Sequence, residues 1–298
     1  MTTPVHTCAF RCMPSALAGL VRAGVRRAPG LTPGGTVPAI RVSLPNVRPD
    51  PDRLAAYRAV CGFGDDGCLP VTYPHALAGP LHLAALTHPA FPFRLPGLVH
   101  VRKTVVQRRP LAANERVDLQ VDLGGHREVE KGLEFDMTTA VTDGAGATVW
   151  SGVSTNLLRT GGGSGPGRRA GPDLADYRRG ASWSAPVGIG WRYGRIAADL
   201  NPIHLHVLTA RLFGMRRPIA HGMWLFAGSL AALGVQGGAG SICLDVAFRR
   251  PVPLPAQLQQ WCRQDTDTDG MIYRVTDPTG DTLHLEGTVA AGAGAHGS

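Results

Sequence analysis

The sequence predicts an α+β fold built from two like halves, each an apolar helix wrapped by antiparallel strands. Three observations carry this. A stretch that cannot bury a core, "RTGGGSGPGRRAGPD" at 159–173, lies near the middle of the 298-residue chain and reads as a linker. The same order of segments occurs on both sides of it. The segment 223–233, "MWLFAGSLAAL", is apolar nearly all round, as a helix enclosed by a sheet must be. A helix followed by several strands, twice over, argues against alternating βαβ units. The expected boundaries are 1–158 for the N-terminal half, 159–180 for the linker and 181–298 for the C-terminal half.

Taken in order, residues 14–27 carry Leu17, Leu20, Val21 and Val25 at helical spacing, predicting an N-terminal helix. "YRAVCG" at 57–62 parallels "YGRIAA" at 193–198, and an alanine- and leucine-rich helix follows each, ending "LAALTHP" and "LAALG". The first of these helices is interrupted by Gly79-Pro80, because proline removes a helix hydrogen bond and clashes with the preceding turn. Next come "VVQRRPL" at 105–111 and "VAFRRPV" at 246–252, then alternating strand-like runs such as "ERVDLQVDL", "EFDMTTAVTD" and "MIYRVTD".

Composition narrows the function classes. Hydrophobic residues make up 44% of the chain, enough for real cores, and no apolar run reaches the roughly 18 to 20 residues that a membrane span needs. Net charge is +8, which favours an anionic partner, yet the basic residues occur only as pairs such as Arg108-Arg109, Arg216-Arg217 and Arg249-Arg250. Nucleic acid is not expected. The six cysteines form no CxxC pair and read as reduced thiols of a cytoplasmic protein. The first 49 residues hold six Arg and no Asp or Glu, a presequence-like bias that keeps mitochondrial import open.

The chemistry concentrates in "ADLNPIHLHVL", 198–208. Asn201 suits a helix N-cap, Pro202 the first helical position, and Gly214 a stop after "IHLHVLTARLF". Capping does not account for His204, which falls in the first turn, where the helix dipole disfavours imidazolium and favours an ionised Asp199. A carboxylate and a neutral imidazole on one spot make an acid–base device. His204 and His206 lie about 200° apart around a helix and cannot readily share a metal ion. A site using Asp199, His204 and His221 stays open, although none is expected. In "PIAHGMW", 218–224, Gly222 opens the apolar helix, so its N–H is an unpaired first-turn donor that can hold an oxyanion.

"YGRIAADLNPIH" followed by "AHGM" resembles the signature of the MaoC-like (R)-specific enoyl-thioester hydratases, also called hydratase 2. "VTYPHALAGPLHLAALT" and "FPFRLPGLVHVRKTVVQRRPL" resemble the double-hotdog (3R)-hydroxyacyl-thioester dehydratases, so that nearly the whole chain is covered. The resemblance implies a double hotdog fold and reversible hydration of trans-2-enoyl thioesters on coenzyme A or acyl carrier protein, with no metal or redox cofactor. It implies Asp199 and His204 as the catalytic pair, Asn201 orienting them, and Gly222 with His221 on the oxyanion and substrate side. Ala197-Ala198 stand where the family usually has Ser-Gly, and His206 where it often has Asp or Asn. Residues 63–72 contain no Asn-Pro-x-His, so one site per chain is expected, with the N-terminal half shaping the acyl pocket around Gly79, Pro80 and Tyr73. A homodimer is the candidate assembly. The rival functions are a hotdog thioesterase, which would want a carboxylate that 223–234 lacks, and a non-catalytic acyl-thioester binding or polyketide-assembly subunit.

Overall fold

Two buried helices organise the chain, and the C-terminal one is apolar on every side because strands surround it. The computed structural model describes residues 5–159, 171–266, 268 and 270–292. In the C-terminal half the central helix is α7 (Gly222–Ala232), with Met223, Trp224, Leu225, Phe226, Ala227 and Leu230 all buried. Its N-terminal counterpart is split, as expected, into α3 (Tyr73–Leu77) and α4 (Gly79–Leu86).

Among the described residues the strands form one sheet of eleven. The N-terminal half supplies β1 (Val5–Ala9), β2 (Ala39–Val47), β3 (Leu98–Gln107), β4 (Val117–Val129), β5 (Gly132–Thr142) and β6 (Thr148–Arg159). The C-terminal half supplies β7 (Arg178–Ala185), β8 (Ile242–Phe248), β9 (Ala256–Gln264), β10 (Met271–Thr276) and β11 (Leu283–Ala291). Their order is β1-β2-β4-β5-β6-β3-β8-β11-β10-β9-β7. With β1 set aside, each half runs first, third, fourth, fifth and second strand from the outside inward. The two second strands, β3 and β8, pair antiparallel from Arg102↔Ala247 to Gln107↔Ile242. They carry the echoing "VVQRRPL" and "VAFRRPV", so the sequence repeat marks the seam.

Short helices pack across that seam. α2 (Pro51–Cys61) is capped by Asp50 and α5 (Ile189–Ala197) ends at Ala198. The repeated tyrosines, Tyr57 and Tyr193, meet there with ring centroids 6.1 Å apart. Trp224 donates its indole N–H to the Val60 carbonyl at 2.8 Å, and Arg53 donates to the carbonyls of Ile196 and Ala76 at 2.7 and 2.8 Å. The Val60 and Ile196 backbone oxygens at the helix ends thus find donors from the other half.

Three details depart from the sequence reading. β1, which pairs parallel to β2, was not expected. The N-terminal helix exists as α1 (Ala16–Val25), but Leu17 and Val21 stay 71% and 59% exposed, so its spacing does not mark a core face. Half of the expected linker, 160–170, lies outside the described residues, while 171–177 is held against the C-terminal half: the Asp173 carbonyl accepts from Arg274, whose guanidinium lies 4.6 Å from the Tyr177 ring centroid.

The break in the N-terminal central helix also serves a different end than expected. A Cβ on Gly79 would lie 2.0 Å from the Ala197 carbonyl oxygen, so the end of α5 fills that space and no acyl cavity opens there. Tyr73 is likewise fully buried against the seam, edge-on to Tyr57 at 5.1 Å. Pro80 is buried as well, opening α4. We expect Gly79→Ala to lose about 2–3 kcal/mol in chemical denaturation, the cost of overpacking against backbone, and Gly79→Leu to lower activity equally on short and long substrates rather than on long ones alone.

Candidate active site

The site hangs on the segment that follows α5. Ala198 closes that helix in the left-handed conformation, φ 56° and ψ 28°, with the Asp199 N–H donating to the Gly194 carbonyl at 3.0 Å. The chain then folds back along α5 so closely that glycine is required at two positions. A Cβ on Gly190 would lie 1.8 Å from the His204 carbonyl oxygen, and one on Gly194 would lie 2.6 Å from that of Asp199.

Asn201 caps as expected, its side-chain oxygen accepting from the Ile203 N–H, but the helix it opens is one 3-10 turn, Pro202–His204. A second helix, α6 (Val207–Leu212), starts afresh, capped by His206, whose Nδ1 accepts from the Leu208 N–H at 3.2 Å. His206 thus takes the capping role natural to Asp or Asn and stays exposed. Because the turn ends at His204, a helix dipole is not what keeps that imidazole neutral. Burial is: it pushes the His204 pKa below 6.5, against the opposing pulls of Asp199 and the Ile219 carbonyl.

The tautomers follow from the partners. His204 Nδ1 lies 2.7 Å from the Ile219 carbonyl, which can only accept, so Nδ1 carries the hydrogen and Nε2 presents a lone pair. That carbonyl is itself fixed: the Ile219 N–H donates to Ile203, and the adjoining Ala220 N–H to Val252. His221 Nε2 lies 2.9 Å from the Asp199 carbonyl and must donate to it, which turns this N–H toward the Asp199 carboxylate, 3.8 Å away. The two imidazoles stack at 3.7 Å, and Tyr193 packs on His221 at 5.1 Å.

Asp199 keeps 54% of its side-chain surface while protein crowds it on the other sides, which places it in an open recess. Burial raises its pKa, but His221, His204 and the Asn201 N–H outweigh that and hold the carboxyl below 3.8. Asn201 therefore reaches Asp199 through its backbone, at 3.3 Å, rather than through its amide. Side-chain ligand atoms of Asp199, His204 and His221 all lie within 4.8 Å of one another. A metal ion fits this set poorly, because the His221 nitrogen nearest the carboxylate is the protonated one. Gly222 sits at the first position of α7, with the Phe248 ring 3.0 Å from where its Cβ would be.

Every sequence-predicted member of the acid–base group is thus in one place, and the acyl-pocket candidates Gly79 and Tyr73 are not. His221 does more than its sequence position suggested, since it links Asp199 to His204. Tyr193, Phe248 and the Ile219 carbonyl were missed. Tyr193 alone left a signal, as one of the repeated tyrosines.

This fold and site define a class, the double-hotdog dehydratases. A MaoC like domain matches residues 190–277. The chain is 33% identical over 247 residues, 82% of its length and 87% of the relative's, to 3-hydroxyacyl-thioester dehydratase X of Mycobacterium tuberculosis. It therefore belongs to the MaoC-like dehydratase family. The crystal structure of that bacterium's HtdX superposes with a TM-score of 0.72 at 30% identity, covering 84% of this chain and 99% of its own. A MaoC-like dehydratase from Phytophthora capsici shares the fold at 17% identity, with a TM-score of 0.70 over 86% of this chain and 95% of its own.

Two outcomes follow from the geometry. Ala198 holds a left-handed conformation that disfavours side chains by roughly 1–2 kcal/mol, while glycine costs about 0.4–1 kcal/mol in unfolded-state entropy. Ala198→Gly should therefore stabilise the protein by about 0.5–1 kcal/mol in urea denaturation. The lowered pKa values of His204 and His221 set the second. Below pH 6.5 the unfolded chain binds protons that these rings refuse, so stability present above 6.5 is lost on acidification, by up to about 1.4 kcal/mol per pH unit per ring. Thermal unfolding across pH 7.5 to 5 should show Tm falling below about 6.5; a flat profile would contradict the assignment.

Proposed function

We propose that this chain adds water reversibly across the double bond of trans-2-enoyl thioesters, giving (3R)-3-hydroxyacyl thioesters, with dehydration as the reverse. One observation carries the reading. An ionised carboxylate and an imidazole whose free lone pair sits on Nε2 converge within 4.8 Å, beside a first-turn N–H. The similarity to a 3-hydroxyacyl-thioester dehydratase supports the same substrate class.

In this mechanism the Gly222 N–H donates to the thioester oxygen and draws the conjugated π electrons toward it. His204 Nε2 takes a proton from water as its oxygen bonds to Cβ, and the displaced π pair builds enolate character at Cα and the thioester oxygen. A proton returns to Cα through the Asp199–His204 pair, so the components of one water molecule end on Cβ and Cα. Nucleophile, proton and oxyanion donor come from water and the chain, and the reaction draws on no metal or redox cofactor. The carrier is coenzyme A or acyl carrier protein, both anionic, which suits a chain of net charge +8. The six cysteines are all free, which suits a cytoplasmic enzyme. A thioesterase is disfavoured because α7 carries no carboxylate.

Asp199→Asn keeps the shape of the side chain but removes its basicity. It and His204→Gln should each lower kcat by roughly 10²–10⁴-fold, the usual worth of a positioned acid or base, with Tm near that of the parent. The double variant should be little worse than either single one, since both residues serve one device. Chelator treatment should leave the parent active. Loss of conjugated-enoyl absorbance is the readout, and near-normal turnover by folded Asp199→Asn would sink the mechanism.

A further inference from the structure

The inner face of the N-terminal sheet is polar where a plain acyl chain would want it apolar. From β3, Lys103 and His100 point to the same side as their β6 partners Ser154 and Asn156. Facing them from α3 and α4 are His75 and His82, with His75 4.6 Å from His82 and 6.1 Å from His100 between ring centroids. Lys103 is fully buried, and among the described residues its ammonium meets one hydrogen-bond acceptor, the Ser154 hydroxyl at 3.1 Å, lies 5.5 Å from the Trp150 ring centroid, and pairs with no carboxylate. His82 spends Nε2 on the Thr139 hydroxyl at 2.8 Å, whereas buried His75 Nδ1 and His100 Nε2 have no partner.

Burying an ammonium without a counter-ion costs several kcal/mol, which a methionine in its place would avoid. Burial accordingly pulls the Lys103 pKa down to about 7 and holds all three imidazoles neutral. A cluster with one cation, two unpartnered ring nitrogens and no acid of its own is set up for an anion.

Its position says which anion. The Phe248 ring packs on Gly222 on one side and on His100 on the other, at 5.0 Å between centroids. A thioester whose oxygen rests on the Gly222 N–H would send the far end of its acyl group past Phe248 toward His100, His75 and Lys103. His75 and His100 are partly exposed, so the cluster is not sealed off. Asp199 raises the pKa of both His82 and His100, against the larger lowering by burial, so the cluster is within electrostatic reach of that carboxylate.

We propose that Lys103, His100 and His75 form a receptor for a carboxylate at the distal end of the acyl group, so that the substrate is the monothioester of a short dicarboxylic acid. This rests on the enoyl-thioester reading above and specifies its substrate. One carboxylate matches one ammonium in charge, and its remaining lone pairs match the N–H groups that the rings can turn toward it.

The test uses two saturated, unreactive pantetheine thioesters of equal length, glutaryl and pentanoyl, since pantetheine is common to both carriers. Calorimetry on the full chain should find glutaryl-pantetheine bound about 10–100-fold more tightly, the worth of a charge-assisted hydrogen bond. In Lys103→Met and Lys103→Gln the preference should collapse by at least about 10-fold, with Tm equal to or above the parent's because a buried unpaired charge is gone. Equal or weaker binding of the glutaryl ester, no detectable binding of it at millimolar concentration, or a preference that both variants retain would overturn the receptor. Turnover of the matching 2-enoyl thioesters is followed separately. A carboxylate preference in binding, with neither enoyl ester hydrated, would condemn the reaction and leave the receptor standing.

Discussion

The geometry of the candidate site depends on how closely one stretch of backbone lies against another. Segment Asp199–His204 rests on α5 with no room for a Cβ at Gly190 or Gly194. Push it outward by the width of a methyl group and the Asp199 carbonyl leaves His221 while the His204 ring leaves Ile219. Two hydrogen bonds to carbonyls, at 2.9 and 2.7 Å, decide which nitrogen of each ring carries the hydrogen. The availability of a base at Nε2 of His204 is therefore set by backbone packing several residues away.

Much of the fold was legible because it arises from local pattern. Period-2 alternation located the strands, and the all-round apolarity of 223–233 marked an enclosed helix. Pro80 announced the break in the other. Asn201 and Gly222 were readable as helix openers, since capping chemistry acts over two or three residues. The restart at His206 was not, because "IHLHVLTARLF" holds helical spacing across the break and only the cap of α6 shows it. β1 adds a short outer strand whose exposed residues carry no alternation.

What sequence reading could not reach are contacts between distant segments. The Ala197 carbonyl against Gly79 spans more than a hundred residues, and it turns what reads as a pocket into a packing contact. The His221 bond to the Asp199 carbonyl likewise needs the fold. His75, His82, His100 and Lys103 are scattered through segments that read as ordinary helix and strand. Only the β3–β6 register and the facing helices bring them to one side of the sheet.

The seam between β3 and β8 has a further meaning. Two separate copies of one hotdog chain, paired about a two-fold axis, must place every residue twice, so a base in one catalytic recess implies the same base in the other. Here the halves are covalently joined yet keep the pairing geometry, down to Tyr57 facing Tyr193. Each position is free to diverge from its counterpart. One half can hold Asp199, His204 and His221 while the other gathers Lys103, His75, His82 and His100 instead. Broken symmetry at the level of the chain is what allows the two halves to carry chemically different groups on equivalent elements.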